Sequence, residues 1–181
     1  MIRSRLAGAA LIVSDVDGVM TDGGLYYDAQ GGVSKRFHVQ DGLGVKLAQA
    51  AGLEVAVITG LESEAVRTRI RELGIGEYHS GGWHKGELVS RIASERRVDL
   101  EKVVYVGDDW VDAPAMNIVG LPVAVQNAQP EIKRIAAMVT DTPGGKGALR
   151  EVIMAALAAQ GKLEALWRRW MDLGANSSSS A

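Results

Sequence analysis

Short runs of β-branched and other apolar residues recur along this chain, and they restrict its fold more than any other feature. Four such runs span residues 10–13, 55–58, 103–106 and 122–125, and a weaker fifth run spans residues 138–140. Continuous apolar runs of this length are typical of strands that are buried on both faces. The segments between them carry apolar residues at helical spacing, such as Val66, Ile70 and Leu73. The alternation predicts an α/β fold, with a doubly wound, Rossmann-like parallel sheet and helices on both faces.

One segment departs from this alternation and predicts a β-hairpin. Residues 25–27 and 33–39 flank the turn-forming residues 28–32, and the segment follows the loop of the first strand. We expect this hairpin to form a flap over the carboxyl edge of the sheet. The hairpin and one helix use up the 36 residues from Gly23 to Ile58. We therefore expect no large cap domain.

The length of 181 residues predicts a single domain, which we place at residues 1–161. Residues 162–173 are predicted to form a tail helix that carries Trp167 and Trp170. Residues 174–181 are small, polar and rich in serine, a composition that is typical of a disordered tail.

The charge and the cysteine count exclude several classes of function. A net charge of −2 gives no electrostatic reason to expect a nucleic-acid or membrane partner. The absence of cysteine excludes disulfides, thiolate metal sites and cysteine nucleophiles. The apolar stretch at residues 6–13 is followed by Asp15 and Asp17 and lacks a cleavage site, so we expect no signal peptide. These features predict a cytoplasmic protein.

Two groups of aspartates follow two of the predicted strands. The first group is Asp15, Asp17 and Asp22, and the second is Asp108, Asp109 and Asp112. Ligands bind outside the carboxyl ends of the strands in a doubly wound sheet, so we expect the two groups to meet there. One or two of these aspartates are expected to cap the helices that follow. The remainder exceed what capping needs and predict a metal site, because clustered carboxylates repel one another without a cation.

Three further residues at the same edge suit an anionic ligand. Thr59 and Gly60 follow the second apolar run and offer a hydroxyl and a backbone amide to a phosphate. Lys85 opens a predicted helix, where a cation opposes the helix dipole. A bound anion would explain a lysine at that position.

These four motifs, in this order, resemble those of the haloacid-dehalogenase-type phosphohydrolases, and the resemblance extends to Lys162. It implies that Asp15 attacks phosphorus to form an aspartyl-phosphate, while Asp17 protonates the leaving oxygen and then activates water. It also implies Mg²⁺ as the cofactor. In this implied arrangement, Mg²⁺ is held by the Asp15 carboxylate, the Asp17 carbonyl and the Asp108 carboxylate. Asp109 and Asp112 support the metal site. Thr59 and Lys85 bind the transferring oxygens.

Three longer motifs resemble those of the 3-deoxy-D-manno-octulosonate 8-phosphate phosphatases. They lie at residues 15–23, at residues 37–44, and at residues 144–147 together with Arg150 and Glu151. This resemblance implies an octulosonate 8-phosphate substrate, lipopolysaccharide biosynthesis as the context and a homotetramer in which Lys146 approaches a neighbouring active site. The residues implied to bind the substrate are Asp17, His38, Val39, Gln40, Asp41, Gly42, Lys46, Thr59, Gly60, Arg69, Lys85 and Lys146.

One position departs from that family. Leu61 directly follows Thr59-Gly60, where these phosphatases commonly carry an arginine. A substrate carboxylate would then need another partner, so phosphatases for nine-carbon 2-keto-3-deoxy sugar-acid 9-phosphates remain an alternative.

Two alternatives to a turnover enzyme also remain. A phospho-receiver domain places similar residues at the carboxyl edge of a parallel sheet, but its threonine and lysine follow its phospho-aspartate. Here Thr59 and Lys85 precede Asp108. A phosphatase-like scaffold with a regulatory role would not need every catalytic position to be filled, as it is in this chain.

Overall fold

The computed structural model describes residues 1–177. Its helices are α1 (Ile2–Gly8), α2 (Val39–Ala50), α3 (Glu64–Leu73), α4 (Lys85–Arg96), α5 (Ala113–Met116), α6 (Pro130–Ile135), α7 (Ala148–Ala159) and α8 (Leu163–Ser177). Its strands are β1 (Leu11–Ser14), β2 (Tyr26–Tyr27), β3 (Val33–Ser34), β4 (Glu54–Thr59), β5 (Glu77–Ser80), β6 (Val103–Gly107), β7 (Leu121–Ala124) and β8 (Met138–Val139). Short 3₁₀ helices lie at Leu100–Lys102 and Trp110–Asp112.

Six of the strands form one sheet, in the order β5-β4-β1-β6-β7-β8. Each pairing in it is parallel. The predicted doubly wound α/β fold is therefore confirmed, with six strands where five apolar runs were recognised. The additional strand, β5, is an edge strand of sequence Glu-Tyr-His-Ser. It faces solvent in part, so it lacks the apolar run that marks a strand buried on both faces.

The core lies on both sides of β1, the central strand between β4 and β6. All four residues of β1 are buried. The helices pack in two groups, with α1 and α2 against α7 and with α4 and α6 against α5. This arrangement buries β1 on both faces and brings its carboxyl end between those of β4 and β6.

The predicted hairpin exists, but it is shorter than the sequence indicated. β2 and β3 pair antiparallel through Tyr26–Ser34 and Tyr27–Val33. The Asp28 carboxylate supports the turn by accepting the N–H groups of Gln30 and Gly32, at 2.9 and 2.7 Å.

The chain leaves the hairpin before the predicted end of its second strand. Phe37 forms an isolated antiparallel bridge with Thr21. His38 is the extended residue before α2, so Val39–Gly42 form the first turn of that helix and not the end of a flap strand.

The structure has more helix near both chain ends than the sequence pattern predicted. α1 precedes the first strand and buries Leu6. α8 continues to Ser177, four residues beyond the predicted end of the tail helix. The rest of the predicted disordered tail, residues 178–181, lies outside the described residues. Within residues 1–177, the helices are too short or too polar to cross a membrane.

Candidate active site

The predicted site residues converge at the carboxyl ends of three adjacent strands. Asp15 directly follows β1, and its N–H donates to the carbonyl of Val106 in β6 at 3.0 Å. Thr59 ends β4, which pairs with β1 on the other side. Asp108 follows the last residue of β6. The parallel register therefore brings together residues that are up to 93 positions apart in the sequence.

Lys85 occupies the centre of a buried charge network. It is the first residue of α4, as the sequence predicted. Its ammonium lies 2.9 Å from Oδ1 of Asp15 and 2.7 Å from Oδ1 of Asp112, and its side chain is 1% exposed. Desolvation opposes the charged form, but the two carboxylates outweigh it and raise the pKa of Lys85. The anions that stabilise a lysine at this helix start are thus carboxylates of the protein itself.

Asp112 connects the members of this network by hydrogen bonds. Its Oδ1 accepts from Lys85 and from the hydroxyl of Tyr105, which lies at 2.7 Å. Its Oδ2 accepts the N–H groups of Asp108 and Asp109, at 2.9 and 3.2 Å. Each oxygen of this carboxylate therefore accepts two hydrogen bonds, which suits Asp112 to support the site through Lys85 and the backbone.

Asp109 does not join the buried carboxylates. Its carboxylate accepts the N–H of Trp110 at 2.7 Å and caps the short helix at Trp110–Asp112. The side chain faces solvent. The structure thus gives Asp109 a capping contact and not the place beside Asp15 that a metal ligand would need.

The remaining carboxylates fit a divalent cation. Oxygen atoms of Asp15, Asp108 and Asp112 lie within 4.8 Å of one another. Oδ1 of Asp108 is buried without a hydrogen-bond partner among the described residues. Burial, and then the charge of Asp112, raise the pKa of Asp15 to about 7. Burial and the charges of Asp112 and Asp15 raise the pKa of Asp108 to about 8. Lys85 alone does not neutralise three carboxylates, so a bound cation would relieve their repulsion.

The loop after β1 approaches this cluster closely at Gly18. Gly18 has a φ of +86°, and a Cβ there would lie 2.1 Å from Oδ2 of Asp108. A side chain at this position would displace the Asp108 carboxylate. The glycine of the Asp-Val-Asp-Gly motif is therefore needed for the position of a residue 90 positions away.

Asp17 lies outside the buried cluster and has a different partner. Both of its carboxylate oxygens accept from the ammonium of Lys35, at 2.6 and 2.7 Å. The Asp17 side chain is 26% exposed, which leaves it accessible to a ligand or to water. Sequence reasoning did not identify Lys35. A signal was present, because Lys35 alternates with Val33 and Phe37 and so shares a face with two apolar residues.

Tyr105 is the second residue that sequence reasoning missed. It lies within the predicted third strand and is completely buried. Burial is the first cause that raises its pKa well above the ordinary value, and the charge of Asp112 adds to it. A tyrosine within a run of valines indicates a buried hydroxyl that needs a partner, but the sequence alone does not name the partner.

The structure separates the residues that the resemblance assigned to the sugar acid. His38 and Gln40 lie beside Gly147, since a Cβ on that glycine would be 3.8 Å from Nδ1 of His38 and 3.6 Å from Oε1 of Gln40. Val39 between them is 78% exposed. Val39 and Gln40 are therefore exposed near the start of α7, whereas His38 is half-buried and its Nδ1 has no hydrogen-bond partner among the described residues.

Asp41 and Gly42 instead serve the packing of α2. Oδ1 of Asp41 accepts the N–H of Arg150 at 2.7 Å, and burial raises the pKa of this carboxyl. A Cβ on Gly42 would lie 2.2 Å from Nη2 of Arg69. The guanidinium of Arg69 thus lies against the first turn of α2, and Asp41 itself is buried away from solvent.

The ammonium of Lys46 lies at the C-terminal end of α3. Its ammonium donates to the carbonyl of Leu73 at 2.7 Å, in the last turn of that helix. The contact satisfies a free carbonyl at a helix end. Lys46 is therefore a capping residue in this structure, and the implied contact with substrate finds no support.

Thr59, Gly60 and Leu61 form a tight turn beside the hairpin. The buried Thr59 hydroxyl lies 3.3 Å from both the N–H and the carbonyl of Leu61. The Leu61 side chain is 48% exposed. It lines a groove together with Leu25, Tyr27, Val33 and Lys35 of the hairpin segment. This groove is mainly apolar where the related phosphatases were expected to carry a guanidinium.

The glycine-rich turn before α7 packs on the loop after β1. Gly144 N–H donates to Oδ1 of Asn127 at 2.7 Å, and Gly145 N–H donates to the carbonyl of Val19 at 2.9 Å. A Cβ on Gly144 would lie 1.6 Å from the carbonyl oxygen of Gly18. Lys146, which follows, is exposed. This turn therefore borders the candidate site of its own chain.

Comparison with known proteins gives consistent similarities. The model of the haloacid dehalogenase-like hydrolase family matches residues 58–152. The chain is 41% identical over 161 residues to the 3-deoxy-D-manno-octulosonate 8-phosphate phosphatase of Haemophilus influenzae, and the match covers 89% of each protein.

Solved structures extend the similarity to three dimensions. The 3-deoxy-D-manno-octulosonate 8-phosphate phosphatase of Yersinia pestis matches with a TM-score of 0.88 and 39% identity, over 90% of this chain and 88% of that one. The enzyme of the same name from Moraxella catarrhalis, in complex with a magnesium ion, a phosphate ion and a KDO molecule, matches with a TM-score of 0.91 and 32% identity. That match covers 93% of this chain and 97% of the other.

Proposed function

Because the chain belongs to the haloacid dehalogenase-like hydrolases and resembles the octulosonate 8-phosphate phosphatases along most of its length, we propose that it hydrolyses 3-deoxy-D-manno-octulosonate 8-phosphate with Mg²⁺ as cofactor. The strongest support is the buried network of Asp15, Lys85 and Asp112 beside Oδ1 of Asp108, which has no hydrogen-bond partner among the described residues. Membership in this hydrolase family excludes the phospho-receiver alternative.

Three groups of this chain would hold the magnesium ion. They are the Asp15 carboxylate, the Asp17 carbonyl and the Asp108 carboxylate, with Asp112 fixing the last through its backbone N–H. When bound, the ion supplies positive charge that lessens the repulsion between an anionic nucleophile and an anionic phosphate. The buried oxygen atoms of Asp15 and Asp108, and the raised pKa values of both carboxyls, support this assignment. The capping contact of Asp109 removes it from the ligand set proposed here.

Asp15 is the nucleophile in the reaction that we propose. Its carboxylate oxygen forms a bond to phosphorus as the bond between phosphorus and the sugar oxygen breaks, which gives an aspartyl-phosphate. The departing sugar oxygen takes a proton from the carboxyl group of Asp17. Asp17 then takes a proton from water, whose oxygen attacks the same phosphorus and releases phosphate and the Asp15 carboxylate.

Lys85 and Thr59 would stabilise the transferring phosphoryl group. The Lys85 ammonium already lies 2.9 Å from Asp15, so it is within reach of an oxygen on a phosphorus bound there. The Thr59 hydroxyl lies at the end of the adjacent strand, and the amide of Gly60 follows it. Phosphoryl transfer is catalysed mainly by positioning and by electrostatic stabilisation of these oxygens.

The sugar-acid part of the substrate is proposed to contact the start of α2 and the neighbouring turn. His38, Val39 and Gln40 support this proposal by their place beside Gly147, and Lys146 adds an exposed cation there. Leu61, at the position after Thr59-Gly60, offers no cation to a substrate carboxylate. Nine-carbon sugar-acid 9-phosphates therefore stay the second candidate substrates.

We also propose a homo-oligomer, a tetramer by resemblance. Trp167 and Trp170 of α8 are 62% and 49% exposed. They line an apolar groove of about 210 Å³ together with residues of α2 and α7. The contribution of Lys146 to a neighbouring site, the cytoplasmic location and the role in lipopolysaccharide biosynthesis stay predictions.

A turnover screen tests the proposed function. Octulosonate 8-phosphate, a nine-carbon 9-phosphate and p-nitrophenyl phosphate are compared with magnesium and with excess chelator. We expect the highest kcat/KM for octulosonate 8-phosphate, and we expect no turnover in chelator. A higher kcat/KM for the nine-carbon ester would select the second candidate, and undiminished turnover in chelator would contradict the metal site.

A further inference from the structure

Lys35 is a buried lysine whose ammonium faces the carboxylate of Asp17. Its side chain is 2% exposed, whereas lysine side chains are almost always solvated. A buried ammonium is costly unless a negative charge and hydrogen bonds compensate for it. Asp17 provides both, since its two oxygens lie 2.6 and 2.7 Å from Nζ. The fold therefore buries a cation at a residue to which the proposed reaction assigns proton transfer.

The hairpin places this cation. Lys35 follows β3 directly, and the bridge between Thr21 and Phe37 joins the base of the hairpin to the loop after β1. The adjacent residue, Arg36, has the opposite environment. It is 51% exposed and pairs with Asp22 at 3.1 Å. Two successive basic residues of the hairpin thus contact two aspartates of the same loop, but only the first is buried.

An ammonium bound to both oxygens fixes the rotation of a carboxylate. The other side-chain contact to Asp17 comes from the Thr21 hydroxyl at 3.5 Å, the outer limit of a hydrogen bond. Asp17 must present an oxygen to the leaving group in one step and to water in the next. Proton transfer requires the acid or base to lie within hydrogen-bond reach in a defined direction. The part of Asp17 that remains exposed is available for that contact.

We propose that Lys35 is a positioning residue for Asp17, which it reaches from the β2–β3 hairpin. This proposal rests on the function proposed above and adds a residue through which the hairpin acts on the acid/base. Lys35 acts through Asp17, so its loss lowers the rate of the steps that Asp17 serves. It leaves substrate affinity unchanged, and it leaves the attack by Asp15 unchanged on an ester whose leaving group needs no proton.

Steady-state kinetics with magnesium test the first part of this proposal. For Lys35→Met on octulosonate 8-phosphate we expect kcat to fall about 10- to 100-fold while KM stays within about threefold. Lys35→Arg keeps a cation that can bind both oxygens and recovers kcat to within about threefold of the wild type. The matched control, Arg36→Met, removes the adjacent exposed pair and keeps kcat within about twofold.

Pre-steady-state kinetics with p-nitrophenyl phosphate separate the two steps. Its leaving group needs no proton, so the burst of p-nitrophenolate reports the attack by Asp15 alone. Lys35→Met should keep the burst rate constant within about threefold and lower the steady-state rate. In an Asp17→Asn background, Lys35→Met should change the remaining steady-state rate by less than about threefold, because residues that act as a unit are not additive.

The outcomes separate this proposal from the function on which it rests. A wild-type enzyme that is active while Lys35→Met keeps its kcat contradicts the role of Lys35 alone. The same holds if Lys35→Met raises only KM, or if its effect persists in full beside Asp17→Asn. A wild-type protein that hydrolyses neither ester contradicts the proposed function and this proposal with it. If Lys35→Met does not fold, Lys35→Gln takes its place, with the same expected fall in kcat.

Discussion

At the scale of single residues, the site depends on four hydrogen bonds to one carboxylate. Asp112 accepts from Lys85, from Tyr105 and from two backbone N–H groups. It thereby sets the position of Lys85 against Asp15 and holds the start of the loop that carries Asp108. Charged groups that are buried and fully bonded define one arrangement, because any other leaves a polar atom unpaired.

Asp15→Asn should abolish turnover and leave the protein folded. An amide is neither a nucleophile nor an anionic ligand for magnesium, so we expect kcat below about one hundredth of the wild-type value. The raised pKa of Asp15 means that its charge is unfavourable in the fold, so its removal should not lower the thermal midpoint. Steady-state kinetics and thermal unfolding check the two parts. Activity above that limit would contradict the nucleophilic role.

Tyr105→Phe removes one bond from Asp112 with little change of shape. We expect it to lower the free energy of unfolding by about 1–2 kcal/mol and to lower kcat about three- to tenfold, since Asp112 positions Lys85. Tyr78→Phe is the matched control, because the buried Tyr78 hydroxyl has no partner among the described residues. Urea unfolding and kinetics on both variants test this expectation. It fails if the two substitutions have equal effects.

At the scale of elements, a strand or helix could be predicted when its own residues carried the pattern that identifies it. The central strands are buried on both faces, so their apolar runs marked them directly. β5 lies at the edge and reads Glu-Tyr-His-Ser, which carries no such mark. The start of α2 at Val39 was missed because an extended His38 continues the pattern of the hairpin strand. In each case the tertiary environment decided what the sequence pattern left ambiguous.

The same limit applies to the candidate site. Asp15, Thr59, Lys85 and Asp108 could be found because each sits directly at the end of a strand or at the start of a helix. The partners of Asp17 and Asp112 could not be found, since Lys35 and Tyr105 meet them only through the folded hairpin and the sheet. The substrate contact that the resemblance implies for Lys46 stays a prediction, because the flexible stem of this lysine reaches the end of α3 in the structure.

The packing of the glycine-rich turn on the loop after β1 predicts a strong effect of one methyl group. In Gly144→Ala the new Cβ would lie 1.6 Å from the Gly18 carbonyl oxygen, so the loop that carries Asp17 must shift. We expect the free energy of unfolding to decrease by about 1–3 kcal/mol. We also expect kcat to fall at least about tenfold.

Gly76→Ala is the matched control, since a Cβ there meets nothing within 4 Å. Urea unfolding and steady-state kinetics on both variants measure the difference. A Gly144→Ala enzyme that retains the kcat of Gly76→Ala would show that this loop contact is not needed for catalysis.

At the scale of the whole molecule, the buried carboxyls connect stability to pH and to metal. The pKa of Asp15 is raised to about 7 and that of Asp108 to about 8, from an ordinary value of 3.8. At pH values between 3.8 and these raised pKa values, Asp15 and Asp108 of the metal-free folded protein hold protons that the unfolded chain has lost. The contribution of these two carboxyls to its stability therefore decreases as the pH rises from about 4 to about 8. The network that serves the proposed chemistry thus lowers the stability of the metal-free protein at neutral pH.

Magnesium should reverse this loss and do so more strongly at higher pH. The ion binds deprotonated carboxylates, so protons compete with it at pH 6 more than at pH 8. Ligand that binds only the folded state raises the thermal midpoint. We expect the metal-free midpoint to be lower at pH 8 than at pH 6, and the increase caused by magnesium to be larger at pH 8. Thermal unfolding in chelator and in magnesium at both pH values measures this, with Asp108→Asn as the variant expected to lose the increase. An equal increase at both pH values, or an increase that persists in Asp108→Asn, would place the stabilising ion away from these carboxylates.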